Sequence, residues 1–176
     1  DKDTCSISKE KYIISETEYN ILEKLKLYDG SILLTLEHFI NLYKRYDSKY
    51  KKKIIFDIKN NIEIILEHII FNLKEFCIPY KNIICLTWDK NIPCHLYGVI
   101  DIYGAIVESY INDKEIIELK KRRYSGICIL FDNSVKNIGT IKRIKLLDMG
   151  VNVYLNEKDS ISYLKWYNKL IDMATY

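Results

Sequence analysis

Three short polar clusters in the second half of the chain carry the residue types that do chemistry: Thr87-Trp88-Asp89-Lys90-Asn91, Asp132-Asn133-Ser134 with Lys136, and Asn156-Glu157-Lys158-Asp159. Each follows a short apolar run, so each would stand beyond the carboxyl end of a buried strand. In an open parallel sheet that edge is where ligands bind. The candidate ligand-binding residues are therefore Thr87, Trp88, Asp89, Asp132, Asn133, Ser134, Lys136 and Asp159. The same residue types also serve turns and helix N-caps, and Asp132-Asn133-Ser134 ahead of a helix fits either use.

Other chemistry is thinly represented. No G-x-G-x-x-G and no G-K-[ST] loop occurs, which removes the two familiar phosphate cradles. Cys94-His95 is the only adjacent Cys-His pair, but neighbours in sequence point apart, and a nucleophile needs a base that meets it in space. His38 and His68 fall within amphipathic stretches and read as packing or surface residues, and Trp166 reads as a core or interface aromatic. The five cysteines (Cys5, Cys77, Cys85, Cys94, Cys128) form no CxxC pair, and three lie in apolar runs, so reduced, packed thiols are expected. No catalytic set, metal site or cofactor emerges.

Composition narrows the class. At 176 residues, 48% hydrophobic and 29% charged, the chain can bury a core of its own and is neither disordered nor built for a bilayer. The apolar stretch from Ile62 to Phe71 is broken by Glu63, Glu67 and His68, well short of a membrane span. A net charge of +3 provides no general field for phosphate backbones, so a nucleic-acid partner is disfavoured. Asp1-Lys2-Asp3-Thr4-Cys5 has no apolar signal core, and a cytoplasmic compartment is expected.

The elements that must hold the polar clusters are read from periodicity. Ser15, Glu16 and Glu18 ahead of Tyr19, Leu22 and Leu25 predict a capped helix ending at Asp29-Gly30, with Ser31 capping the next, which carries Leu34, Leu36, Phe39, Ile40 and Tyr43. Ile54, Ile55, Ile58, Ile62, Ile65, Ile69 and Leu73 predict one long helix from about Ser48 to Phe76. The expectation is a helical region over 1–78 and a Rossmann-like α/β region over 79–176. In the latter, Ile83 to Thr87 predicts a strand, a helix starts near His95, and Lys114 to Arg123 forms a second helical part. Ile127 to Phe131 predicts a strand, Ile138 to Met149 a helix stopped by Gly150, and Val151 to Leu155 a strand. That strand-helix-strand unit implies parallel pairing with a right-handed crossover. Ser160 to Leu164 predicts a further helix, and Lys169 to Met173 the start of another strand.

In order and spacing, Ile84-Cys-Leu-Thr87, Ile129-Leu-Phe-Asp-Asn-Ser134, Ile144-Lys-Leu-Leu-Asp-Met-Gly150, Asp159-Ser-Ile-Ser-Tyr-Leu164 and Asn168-Lys-Leu-Ile-Asp-Met-Ala174 follow a known pattern. The chain resembles the regulatory α, β and δ subunits of eukaryotic translation initiation factor 2B and their methylthioribose-1-phosphate isomerase relatives. It departs from them in having no Pro after Ser134 and no Arg after Gly139. The isomerase branch needs a cysteine and an aspartate where this chain has Asp89 and Thr175. The resemblance thus implies a non-catalytic regulatory or scaffold subunit of a guanine-nucleotide exchange complex. It also implies an oligomer with other subunits, and a phosphorylated protein or a sugar or nucleotide phosphate as ligand. Two alternatives stand beside it. The segment from Ile127 to Val153 also resembles half of a phospholipase D-like fold, a Rossmann-like ligand-binding enzyme fragment whose His-x-Lys pair this chain lacks after His95. A generic interaction module would use the 15 tyrosines as partner surface. In each case an open sheet edge invites cover from another segment or chain.

Overall fold

The computed structural model describes residues 3–46, 52–88, 92, 94–106, 108, 110–132, 134–155 and 171–175. The chain divides into two compact units, Asp1–Tyr50 with Ile69–Ile78, and Lys51–His68 with Pro79–Tyr176.

The first unit is not the expected run of helices. Its described residues form a 3₁₀ turn at Ile14–Glu16, a four-residue helix α1 (Tyr19–Leu22), isolated antiparallel bridges, the helix α2 (Leu36–Tyr46) and the C-terminal half of a helix shared with the second unit. Side chains explain the shortfall. The Thr4 hydroxyl donates to the Glu10 carbonyl and accepts from the Tyr12 amide, and Ser8 binds the Glu10 backbone, so these hydroxyls divert the chain into turns. Ser15 caps nothing: neither short helix has a side-chain cap. Asp29 instead fixes Ser31 in a turn, with Gly30 at φ 82°, and Thr35 accepts from the His38 amide at the start of α2.

The second unit is built on six parallel strands: β1 (Ile54–Ile58), β2 (Ile83–Thr87), β3 (Asp101–Ala105), β4 (Gly126–Leu130), β5 (Gly150–Tyr154) and β6 (Met173–Thr175). Helix α3 (Ile62–Glu75) follows β1, α4 (Asp113–Lys121) follows β3, and α5 (Val135–Leu146) follows β4. β1 corrects the long helix expected over 48–76. Ile54-Ile-Phe-Asp-Ile58 is β-branched and aromatic, and Asn61 has φ 51°, a left-handed residue through which no helix continues. A further correction lies after Thr87: the helix expected from His95 is a 3₁₀ turn, Cys94–Leu96, and β3 replaces the rest. The predicted strand near Lys169 to Met173 forms later, as β6, and the helix expected at Ser160 to Leu164 lies outside the described residues.

Strand order is β1-β2-β3-β4-β5-β6, without a skip. That corrects the Rossmann-like expectation, because a doubly wound sheet reverses its winding and places strand neighbours out of sequence. Right-handed crossovers that always add the next strand on the same side curl the sheet toward a barrel instead.

The two faces of the sheet are distinct. On one face Ile84, Leu86, Tyr103 and Cys128 form a buried cluster, joined by Ile55 and Tyr154. Tyr103 lies flat across Gly126 and Gly150, where a side chain would collide with its ring. On the other face Leu119 of α4 sits against Gly104, and α5 packs against β5. Helices α3, α4 and α5 end alike: Cys77, Arg123 and Asp148 take left-handed φ of 55°, 63° and 53°. In each case the next residue (Ile78, Tyr124, Met149) returns its amide to a carbonyl five residues back and is buried. So α5 stops at Asp148, and Gly150 belongs to the strand.

Candidate functional site

The carboxyl edge of the strands gathers an unexpected group. Asp57, next to last in β1, accepts from Lys59 Nζ at 2.6 Å, and that ammonium lies 5.0 Å from the centre of the Trp88 ring just past β2. Trp88 in turn stacks with Tyr154 at the end of β5, ring centroids 6.4 Å apart and planes 16° from parallel. Period-two geometry puts Asp57, Trp88 and Tyr154 on the face that holds Tyr103, so they form the open mouth above that buried cluster.

The charged groups described at this mouth are Asp57 and Lys59, one of each sign. The Asp57–Lys59 pair is exposed by about a third to a half of each side chain, and such pairs contribute about 0–1 kcal/mol. The cation–π contact adds about 0.5–1 kcal/mol at an exposed site. Lys59 is therefore loosely held and free to turn to a ligand. The Tyr154 hydroxyl is enclosed. Burial is the main force raising its pKa, and the neighbouring Cys128 and Asp57 push the same way. It stays protonated and can donate. Beneath it, Asn152 Nδ2 donates to Cys128 Sγ at 3.1 Å, and burial pushes the Cys128 thiol up to about 12, which makes it a packing group and no nucleophile.

The residues expected from sequence divide three ways. Trp88 is at the mouth. Thr87 is buried and turned to the opposite face, where with Gly104, Leu119 and Tyr124 it lines a cavity of about 390 Å³. Among its described residues the β2–β3 connection offers a single 3₁₀ turn, where a barrel-type fold places a helix. Glu108, Glu115 and Glu118 outnumber its Arg122, which Glu118 already holds at 2.8 Å, so its wall repels phosphate. Asp132 accepts from the Ser134 amide at 2.6 Å, Ser134 accepts from Asn137 as the N-cap of α5, and Lys136 is exposed on the first turn of α5. Asp89, Asn133 and Asp159 lie outside the described residues. Sequence reasoning missed Asp57, Lys59 and Tyr154. The signal for the first two was the Asn60-Asn61 break directly after an isoleucine-rich run, which ends a strand as readily as it interrupts a helix.

No protein-family model and no curated protein matches this sequence. Solved structures do match. A glycerophosphodiester phosphodiesterase from Parabacteroides distasonis ATCC 8503 superposes with a TM-score of 0.68 at 18% identity, over 93% of this chain and 68% of that one. A candidate enzyme of the same kind from Galdieria sulphuraria gives 0.72 at 12% identity, over 93% and 67%. Another from Agrobacterium tumefaciens gives 0.70 at 9% identity, over 99% and 74%. The likeness is one of fold. These neighbours are barrel-like, as the unbroken strand order requires, and this chain spans about two thirds to three quarters of their length. They overturn the resemblance to initiation factor 2B subunits and, with it, the translation-initiation and scaffold reading. Among the described residues no helix is long and apolar enough to cross a membrane.

Proposed function

We propose that this chain acts on phosphodiesters, bound at the mouth formed by Asp57, Lys59, Trp88 and Tyr154. The observation that carries the reading is Lys59, a lightly held ammonium between an indole face and a carboxylate at the carboxyl edge of a parallel sheet. Barrel-type folds hold their substrates at that edge. The fold neighbours, named as glycerophosphodiester phosphodiesterases, support the substrate class.

Each group has a role. Lys59 offsets the phosphodiester charge by pairing with a phosphoryl oxygen. The Trp88–Tyr154 stack forms an apolar wall for the alcohol portion. Asp57, released from Lys59 by the arriving phosphate, takes a proton from water as its oxygen bonds to phosphorus. The ester P–O bond then breaks, the departing alkoxide takes a proton from solvent water and Asp57 returns its proton to solvent, giving a phosphomonoester and an alcohol.

Hydrolysis of glycerophosphodiesters by the full chain, followed as release of glycerol phosphate, tests this. Lys59→Ala should lower kcat/KM by about 10²-fold, the loss expected when one charged contact to the transition state is removed. Turnover by Lys59→Ala equal to the parent's, or no turnover and no phosphodiester binding by the parent, overturns the reading.

A further inference from the structure

A second cluster uses none of the mouth residues. Glu63 and Glu67, four residues apart on α3, meet His95 of the 3₁₀ turn, and one ligand atom from each lies within 4.8 Å of the others. His95 Nε2 is 3.4 Å from Glu67 Oε1. That is long for a charge-assisted hydrogen bond, which closes to about 2.7–2.9 Å. It matches the edge of a tetrahedron with bonds of about 2.1 Å, the length of zinc–nitrogen and zinc–oxygen bonds.

A separate observation comes from charge. Two carboxylates at i and i+4 on one helix face repel. The ion pairs of the described lysines and arginines all go elsewhere: Lys11 to Asp3, Lys59 to Asp57, Arg122 to Glu118, Arg143 to Asp113 and Lys145 to Asp172. Among the described residues His95 alone faces the glutamate pair. Among the described residues the glutamate pair thus has no lysine or arginine partner, with an imidazole set across from it, and a cation at the centre would satisfy all three.

We propose that Glu63, Glu67 and His95 form a site for a divalent transition metal of the zinc class, with water in the fourth position. The imidazole favours such an ion over magnesium or calcium, which prefer oxygen ligands throughout. The i, i+4 spacing pre-positions two ligands, and the third comes from the connection between β2 and β3. Binding therefore ties that connection to α3, a structural role independent of the phosphodiester mouth.

The test uses the full chain stripped with a chelator and titrated with cobalt(II), read by visible absorption, and with zinc, read by calorimetry and thermal unfolding. One ion should bind per chain, with a tetrahedral cobalt spectrum and a zinc-dependent rise in Tm. His95→Ala and Glu67→Gln should each weaken binding at least about tenfold and abolish the Tm rise, while His38→Ala changes neither. All three positions are exposed, and circular dichroism checks that each variant folds. No saturable binding by the parent overturns the proposal. So does binding that survives in both His95→Ala and Glu67→Gln, which would mark an adventitious ion only.

Discussion

Adding one methyl group at Gly150 should cost more stability than most surface substitutions in this chain, and the cost should vanish when Tyr103 is removed. An ideal Cβ at Gly150 would overlap the Tyr103 Oη and Cζ atoms and stand 3.0 Å from Cε2. Tyr103 is 5% exposed and walled by Ile84, Leu86 and Cys128, so the ring cannot swing clear. Overpacking of this kind costs about 1–3 kcal/mol. With a urea slope of about 2 kcal/mol/M, Gly150→Ala should lower the unfolding midpoint by about 0.5–1.5 M. Gly126→Ala should be at least as damaging, because its Cβ would meet the Tyr103 ring at 2.5 Å and the Gly150 carbonyl at 2.7 Å. The cycle with Tyr103→Ala separates the causes. In that background Gly150→Ala should be neutral or stabilising by about 0.5–1 kcal/mol, since alanine loses less entropy in a strand. Gly126→Ala should keep a penalty from the carbonyl. A Gly150→Ala midpoint within about 0.5 kcal/mol of the parent, or the same loss with and without Tyr103, would refute the packing argument.

Two other outcomes are expected. Cys5 and Cys77 are exposed while Cys85 and Cys128 are buried, so the first two should react rapidly with a thiol reagent in the native protein and the second two only on unfolding. Burial raises the last two thiols to about 12 from 9.0, so the unfolded chain releases their protons first, and stability should fall as pH rises from about 9 to about 12. Asp172 accepts from the amide of buried Val151 at 2.6 Å and pairs with Lys145. Asp172→Ala should therefore cost about 1–3 kcal/mol in urea unfolding, and Asp172→Asn, which keeps an acceptor, less.

Much of the second unit was legible because its signals are local. The runs at Ile83, Ile127 and Val151 are continuous and apolar, as strands buried on both faces are, and the capping of α4 by Asn112 and Glu115 sits where the sequence marks a helix start. The failures were equally physical. Ile54, Ile55 and Ile58 fit a helical period and a strand alike, and in a chain this rich in isoleucine the periods do not separate. Gly126 and Gly150 look like helix stops, yet three non-glycine residues in left-handed conformation end the helices, and the two glycines make room for Tyr103. No sequence rule signals that purpose, because Tyr103 is far away in the chain. Asp132 and Ser134 suit a ligand or a cap from sequence alone, and in the structure Asp132 accepts from the Ser134 amide while Ser134 caps α5.

One missed strand also moved the site. A strand-helix-strand unit such as β4-α5-β5 is compatible with a doubly wound sheet and with a barrel-type one, and only the order of the remaining strands decides between them. With β1 read as helix, the ligand place falls in a crevice lined by Asp89 and Asp132. With β1 restored, every strand adds to the same side, and the carboxyl edge curls round to bring Asp57 and Lys59 of one end toward Tyr154 of the other, with Trp88 between them. Tyr103, seated on its two glycines, plugs the concave face below. On the proposed reading a phosphodiester would lie above Tyr103 at the edge where Lys59 stands, so the ring that makes Gly150 intolerant of a methyl group would also form the floor of that site.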